Sequence, residues 1–252
     1  NYPVRDRDLD YTFRLIADSG YRKVDLWGGL PNYSNTPDEC DVTALKSKAA
    51  EYGLLIANLG TYPGRKIFDV GPEAEFEEMK RAIDNAAFLG SRSIRVCPGT
   101  GEDPAIIPEL VPFFQKSAAY AAGKGVYMGM ENHKGSIAGN PDACAELSSA
   151  VDSPHFGVLY EPANLMACGV DYKNAYAAFG DYVTHVHVKD SHVVDGTYER
   201  TMLGEGSIDY AWVTATVEAG GYTGDYALEF EIQDRVDIAI GLPKWLEYFL
   251  AL

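Results

Sequence analysis

A chain of 252 residues with 46% apolar and 23% charged side chains is long enough for one large α/β domain and too apolar for disorder. Its 37 acidic residues outnumber 21 basic ones, for a net charge of −16. Such a surface repels phosphate backbones and anionic lipid, so neither nucleic acid nor a membrane is an expected partner. Four scattered cysteines, with no CxxC pair, make neither a disulfide framework nor a cysteine zinc site. No apolar run reaches the ~18–20 residues that span a bilayer, and no signal peptide is visible. A cytoplasmic location is expected, although a start at Asn1 leaves room for a cleaved export signal upstream.

In chain order, helix-patterned stretches alternate with short β-rich runs. Asp6–Ser19 has helical spacing, and Arg22–Trp27 reads as the first strand. The later strands are expected at Leu54–Gly60, Ser93–Cys97, Val126–Asn132, Phe156–Tyr160, Tyr182–Val188 and Tyr226–Glu231. The intervening helices are expected at Val42–Tyr52, Glu73–Leu89, Pro108–Gly123, Pro141–Val151, Tyr172–Phe179, Tyr210–Ala219 and Arg235–Leu250. Asp41, Asn140 and Asp209 are placed as N-caps, and Gly20, Gly53, Gly90 and Gly125 as helix stops. Regular β–α alternation implies a parallel sheet with right-handed crossovers. Seven strands and eight helices, with a helix first, fit a single (β/α)₈ barrel domain over residues 1–252 whose first strand lies upstream of Asn1 or is missing. A doubly wound open sheet is the competitor, but its GxGxxG turn after the first strand is absent.

In such a barrel the active site sits at the C-terminal ends of the strands. "VYMGMENHKG" ends in Glu131, Asn132 and His133, and "FGVLYEPANL" ends at Glu161 with Asn164 three residues on. "THVHVKD" carries His185, His187 and Lys189, and "YALEFE" carries Glu229 and Glu231. Converging carboxylates repel one another and are costly to desolvate, and a divalent cation resolves both problems. Three carboxylates and a neutral imidazole suit Mn²⁺, Mg²⁺, Co²⁺ or Zn²⁺, and the excess of oxygen favours Mn²⁺ or Mg²⁺. Residues two apart share a strand face, so His185, His187 and Lys189 point the same way. His187, nearer the strand end, is the expected ligand, while His185 reads as a hydrogen-bonded core histidine one layer down.

The set "GMENH", "YEPAN", "HVHVKD", "LGEGSIDY" and "ALEFE", with "VDLWGG" and "IANLG" earlier, resembles the xylose-isomerase-like TIM barrels. These sugar (phosphate) isomerases and epimerases include ketose 3-epimerases, hydroxypyruvate isomerase and inosose dehydratase. The resemblance spans nearly the whole chain and is poor at naming a substrate. It implies one divalent metal on Glu131, Glu161, His187 and Glu229. Glu161 stands where the family usually has Asp, so the longer arm must fold back, bind from another angle or leave the metal. The Gly204–Asp209 turn matches a family turn that caps the next helix and closes a loop over the site.

The resemblance further implies that Glu131 and Glu229 act as acid and base on opposite faces of a sugar or keto-sugar, through an enediolate. His133, Asn164, Lys189 and His192 would hold its hydroxyls or carboxylate, and Trp27 would wall its apolar face. The expected activity is that of a metal-dependent isomerase or epimerase. A lyase, dehydrating a keto-sugar or keto-inositol from the same site, is the alternative. An endonuclease-like phosphodiesterase needs more metals and more than the five histidines present. A non-catalytic binder on the same barrel also remains open, and metal content discriminates it. Arg200 and Arg235 form no compact cluster, which favours a non-phosphorylated substrate. A dimer or tetramer is the assembly that the resemblance suggests.

Overall fold

The computed structural model describes residues 1–252. Seven parallel strands follow one another around a nearly closed barrel: β1 (Lys23–Trp27), β2 (Leu55–Gly60), β3 (Ser93–Val96), β4 (Tyr127–Glu131), β5 (Phe156–Tyr160), β6 (Val183–Val188) and, after a hairpin of β7 (Asp190–Val194) and β8 (Thr197–Thr201), β9 (Tyr226–Leu228). All seven expected strands form, Phe156–Tyr160 with the expected bounds and the other six shorter by one to three residues. The three expected N-caps also form. The Asp41 side chain accepts from Thr43 and Ala44, Asn140 from Asp142 and Ala143, and Asp209 from Trp212.

Alternation along the strands separates two environments. Val24 and Leu26, Ile94 and Val96, Met128 and Met130, and Val186 and Val188 join the helix residues Phe13, Met79, Phe114, Leu147 and Val213 in an apolar cluster of 53 buried residues. Their neighbours Asp25, Arg95, Glu131, His185 and His187 meet one another inside the barrel. Burial of the outward face thus fixes the register that aims the polar residues inward.

With seven strands, as expected of a barrel lacking its first, the sheet is nearly but not fully closed, and β1 and β9 end it without pairing. Between them a cavity of about 440 Å³ runs past Leu15 and Leu242 up to Arg95, His187 and Glu229. Along the open edge of β1, the Asn1 amine donates to the Asp25 carbonyl and its side chain accepts from the Trp27 N–H. The β7–β8 hairpin was not expected. Its turn is Asp195-Gly196, both at positive φ (49° and 78°), which is hairpin chemistry hidden in the text that follows "HVKD". No helix is long and apolar enough to cross a membrane.

Candidate metal centre and active site

Glu131 is the last residue of β4, Glu161 follows β5 directly, His187 lies one residue from the end of β6, and Glu229 follows β9. The Glu229 N–H donates to the Val188 carbonyl, so it continues the ladder beyond β9. All four side chains converge. From His187 Nδ1 it is 3.3 Å to Glu131 Oε1, 3.5 Å to Glu161 Oε2 and 3.9 Å to Glu229 Oε2. Glu131, Glu161 and His187 offer ligand atoms that all lie within 4.8 Å of one another. His187 Nδ1 is buried and makes no well-aligned hydrogen bond. An imidazole lone pair ringed by carboxylates and lacking a partner of its own suits a divalent cation, so the residues fit the group that the sequence implies.

Lys189 stands beside this centre, on the same face as His187. Its ammonium lies 2.5 Å from Glu161, 2.8 Å from Glu229 and 2.9 Å from Glu231. Tyr210 holds the Lys189 backbone at both ends, donating its hydroxyl to the carbonyl and accepting from the N–H. Asp190, next in chain, is wrapped by the Gly204–Asp209 turn and accepts from the N–H groups of Gly204, Gly206 and Ile208. A Cβ on Gly206 would come within 2.0 Å of Asp190 Oδ1, so only glycine lets this turn close.

Charge and burial divide the carboxylates. Burial opposes ionisation of Glu131, but Arg95 beside it, with His187 and Lys189, outweighs that and holds the carboxyl well below its ordinary range. Burial also opposes ionisation of Glu229, and Lys189 and His187 bring it down to about 2. Glu161 is fully buried, and burial wins over Lys189 with help from the Glu229 charge, so its carboxyl rises to about 8. Burial disfavours protonated His187, but the hydrogen bond to Asp25 and the nearby carboxylates of Glu131, Glu161 and Glu229 prevail and hold it well above its ordinary value. A cation replaces such protons and returns these groups to the ligand form.

The remaining expected residues are scattered. Trp27 sits at the end of β1 with its Nε1–H on the Tyr62 hydroxyl at 3.0 Å. Asn164 donates to Glu161 Oε2 at 2.7 Å, so it supports a carboxylate. His133 is exposed, with Nδ1 on the adjacent Lys134 carbonyl, and does not join the cluster. His192 faces Glu199 across the hairpin at 3.4 Å and stands apart as well. Both histidines follow the strand ends, where the pleat no longer fixes direction. His185, expected as a hydrogen-bonded core histidine, is buried with its Nε2 on Asp25 at 2.8 Å.

Two charged residues were not singled out from the sequence. Arg95 pairs with Glu131 at 2.6 Å and lies 4.3 Å over the Tyr62 ring. Asp25, on β1, accepts from both imidazoles of β6. The available signal was a lone charge in the middle of an apolar strand, "KVDLW" and "SIRV".

Comparison with known proteins gives this centre a family. The sequence model of the xylose isomerase-like TIM barrel family matches residues 13–248, and the chain belongs to that family. Its fold is similar to a xylose isomerase-like TIM barrel protein from Mycobacterium smegmatis in complex with magnesium (TM-score 0.80, 18% identity, covering 98% of this chain and 90% of that one). It is also similar to an L-ribulose 3-epimerase (TM-score 0.71, 16% identity, 96% and 88% covered). A third similar structure is the probable 3-DHS dehydratase AsbF of Bacillus anthracis (TM-score 0.73, 15% identity, 95% and 92% covered). No curated protein matches the sequence significantly.

Proposed function

We propose that the protein is a divalent-metal-dependent isomerase or epimerase of a sugar or keto-sugar, working by proton abstraction next to a carbonyl. The observation that carries the reading is the unpartnered Nδ1 of His187 among Glu131, Glu161 and Glu229. A bound Mn²⁺ or Mg²⁺ would supply positive charge beside the substrate carbonyl and lower the cost of an enediolate. His187, Glu131, Glu161 and Glu229 would hold it.

Glu131 and Glu229 come from β4 and the end of β9, with β5 and β6 between them, so they approach the centre from separate sides. Both are held ionised, the state that a base requires. One takes the proton from carbon and the other returns it on the opposite face. Lys189 and Arg95 offer hydrogen-bond donors to substrate oxygens, while Trp27 and Tyr62 form an aromatic wall. A dehydratase acting on a keto-sugar or keto-inositol from the same site is the alternative.

The test is incubation of Mn²⁺-loaded protein with a panel of ketoses in D₂O. Deuterium incorporation without loss of water supports the reading. A new enone absorbance with loss of water would replace it with the dehydratase. Protein that retains no metal after reloading would remove both.

A further inference from the structure

We infer that Asp25 is a positioning residue that orients His187, with His185 as its brace. The inference rests on the cation reading above and adds a residue that the ligand set does not contain. Asp25 lies in the middle of β1, across the barrel from β6. Its Oδ2 is 2.8 Å from His185 Nε2 and 3.3 Å from His187 Nε2. An ionised carboxylate only accepts, so both imidazoles place a hydrogen on Nε2.

The consequence lies at the far side of the ring. A neutral imidazole carries one N–H, so a hydrogen fixed on Nε2 leaves the Nδ1 lone pair free. Nδ1 is the atom that faces Glu131, Glu161 and Glu229. Rotating the ring by half a turn would exchange these faces and point C–H edges at the carboxylates. Asp25 opposes that rotation. His185 donates to the same oxygen and packs edge-on against His187, with centroids 5.5 Å apart and planes at 82°. This explains two imidazoles on one face of β6: one meets the cation, and the other steadies the carboxylate that orients the first. Such partners behind a metal ligand set its tautomer and raise its basicity.

A rival arrangement exists, because Asp25, His185 and His187 also bring ligand atoms within 4.8 Å of one another. Both Nε2 atoms there already have Asp25 as partner, whereas Nδ1 of His187 has no aligned one. The structure therefore favours the cation on the Nδ1 side.

The experiment uses the full chain labelled with ¹⁵N-histidine and loaded with Zn²⁺, which is diamagnetic. The wild-type spectrum should show His187 with zinc on Nδ1 and a proton on Nε2. Competition against a chelator should show zinc affinity weakened about 10–100-fold in Asp25→Ala, the usual cost of losing such a partner. Asp25→Asn, which keeps an acceptor oxygen, should lose less. Zinc on Nε2 of His187, or Asp25→Ala binding zinc within twofold of wild type, overturns the inference. If Asp25→Ala does not fold, the wild-type spectrum still decides. Wild-type protein that takes up no zinc overturns this inference and the cation reading together. Uptake indifferent to Asp25 overturns this inference alone.

Discussion

Along β4, β5, β6 and β9 the barrel mouth carries Glu131, Glu161, His187, Lys189 and Glu229. Along β1, β2 and β3 it carries Trp27, Tyr62 and Arg95, with Asp25 one layer below Trp27. The first arc concentrates negative charge around one imidazole. The second supplies what keeps that charge in place: Arg95 neutralises Glu131 and Asp25 takes the His187 Nε2–H. Converging carboxylates would repel one another, so one arc cannot be built without the other. Substitutions in the supporting arc should therefore act through the acidic one.

The sharpest break in this comparison comes from the acidic arc itself. His187→Ala should abolish stoichiometric metal, read by elemental analysis after chelation and reloading. Glu131→Gln and Glu229→Gln should each lower turnover by ~10²–10⁴-fold at saturating metal, as expected for a lost general base. Under a two-face mechanism each Gln variant still exchanges the substrate proton on its surviving face. Equal loss of exchange from both epimers, with metal bound, would remove that mechanism.

Arg95→Met tests the supporting arc through stability. It leaves the Glu131 carboxylate buried without its cation, and breaking a buried pair from one side costs about 3–5 kcal/mol. Urea unfolding of the metal-free protein should show that loss. An unchanged midpoint would mean that Glu131 takes up a proton or finds another partner.

A smaller effect concerns pH. Glu161 and His187 are both held above their ordinary values, so below pH of about 8 the cation must displace a proton from Glu161. Affinity for Mn²⁺ should rise with pH by about tenfold per unit for each proton released, and level off for the Glu161 contribution above about 8. Calorimetry in buffers of different ionisation enthalpy counts the protons, and pH-independent binding would contradict the raised values.

The smallest effects belong to residues outside both arcs. His133→Ala and His192→Ala should each change stability by less than about 0.5 kcal/mol, as is usual for surface positions. Turnover should stay close to wild type. A tenfold rise in KM for either would return it to the substrate contacts.

Much of this was legible in the text. The seven strands could be read because β-branched and apolar runs alternate with capped helices, and both signals are local. The strand-end rule then singled out Glu131, Glu161, His187, Lys189 and Glu229, since the pleat fixes direction up to the last paired residue. His133 and His192 stand apart from the cluster because each lies beyond that point, one in a loop and the other on a hairpin strand. The Asp195-Gly196 turn was present in the text but was masked by the strand before it.

The sequence by itself determined the β–α order, the caps, the acidic surface and which strand ends carry chemistry. All of these are set by spacings of a few residues. The tertiary structure alone decided that β1 and β9 stay apart, that Arg95 meets Glu131, and that Asp25 reaches two imidazoles some 160 residues away. Those pairings depend on which strands lie across the barrel from one another. The curl of the sheet around the barrel sets that geometry, and no local pattern encodes it.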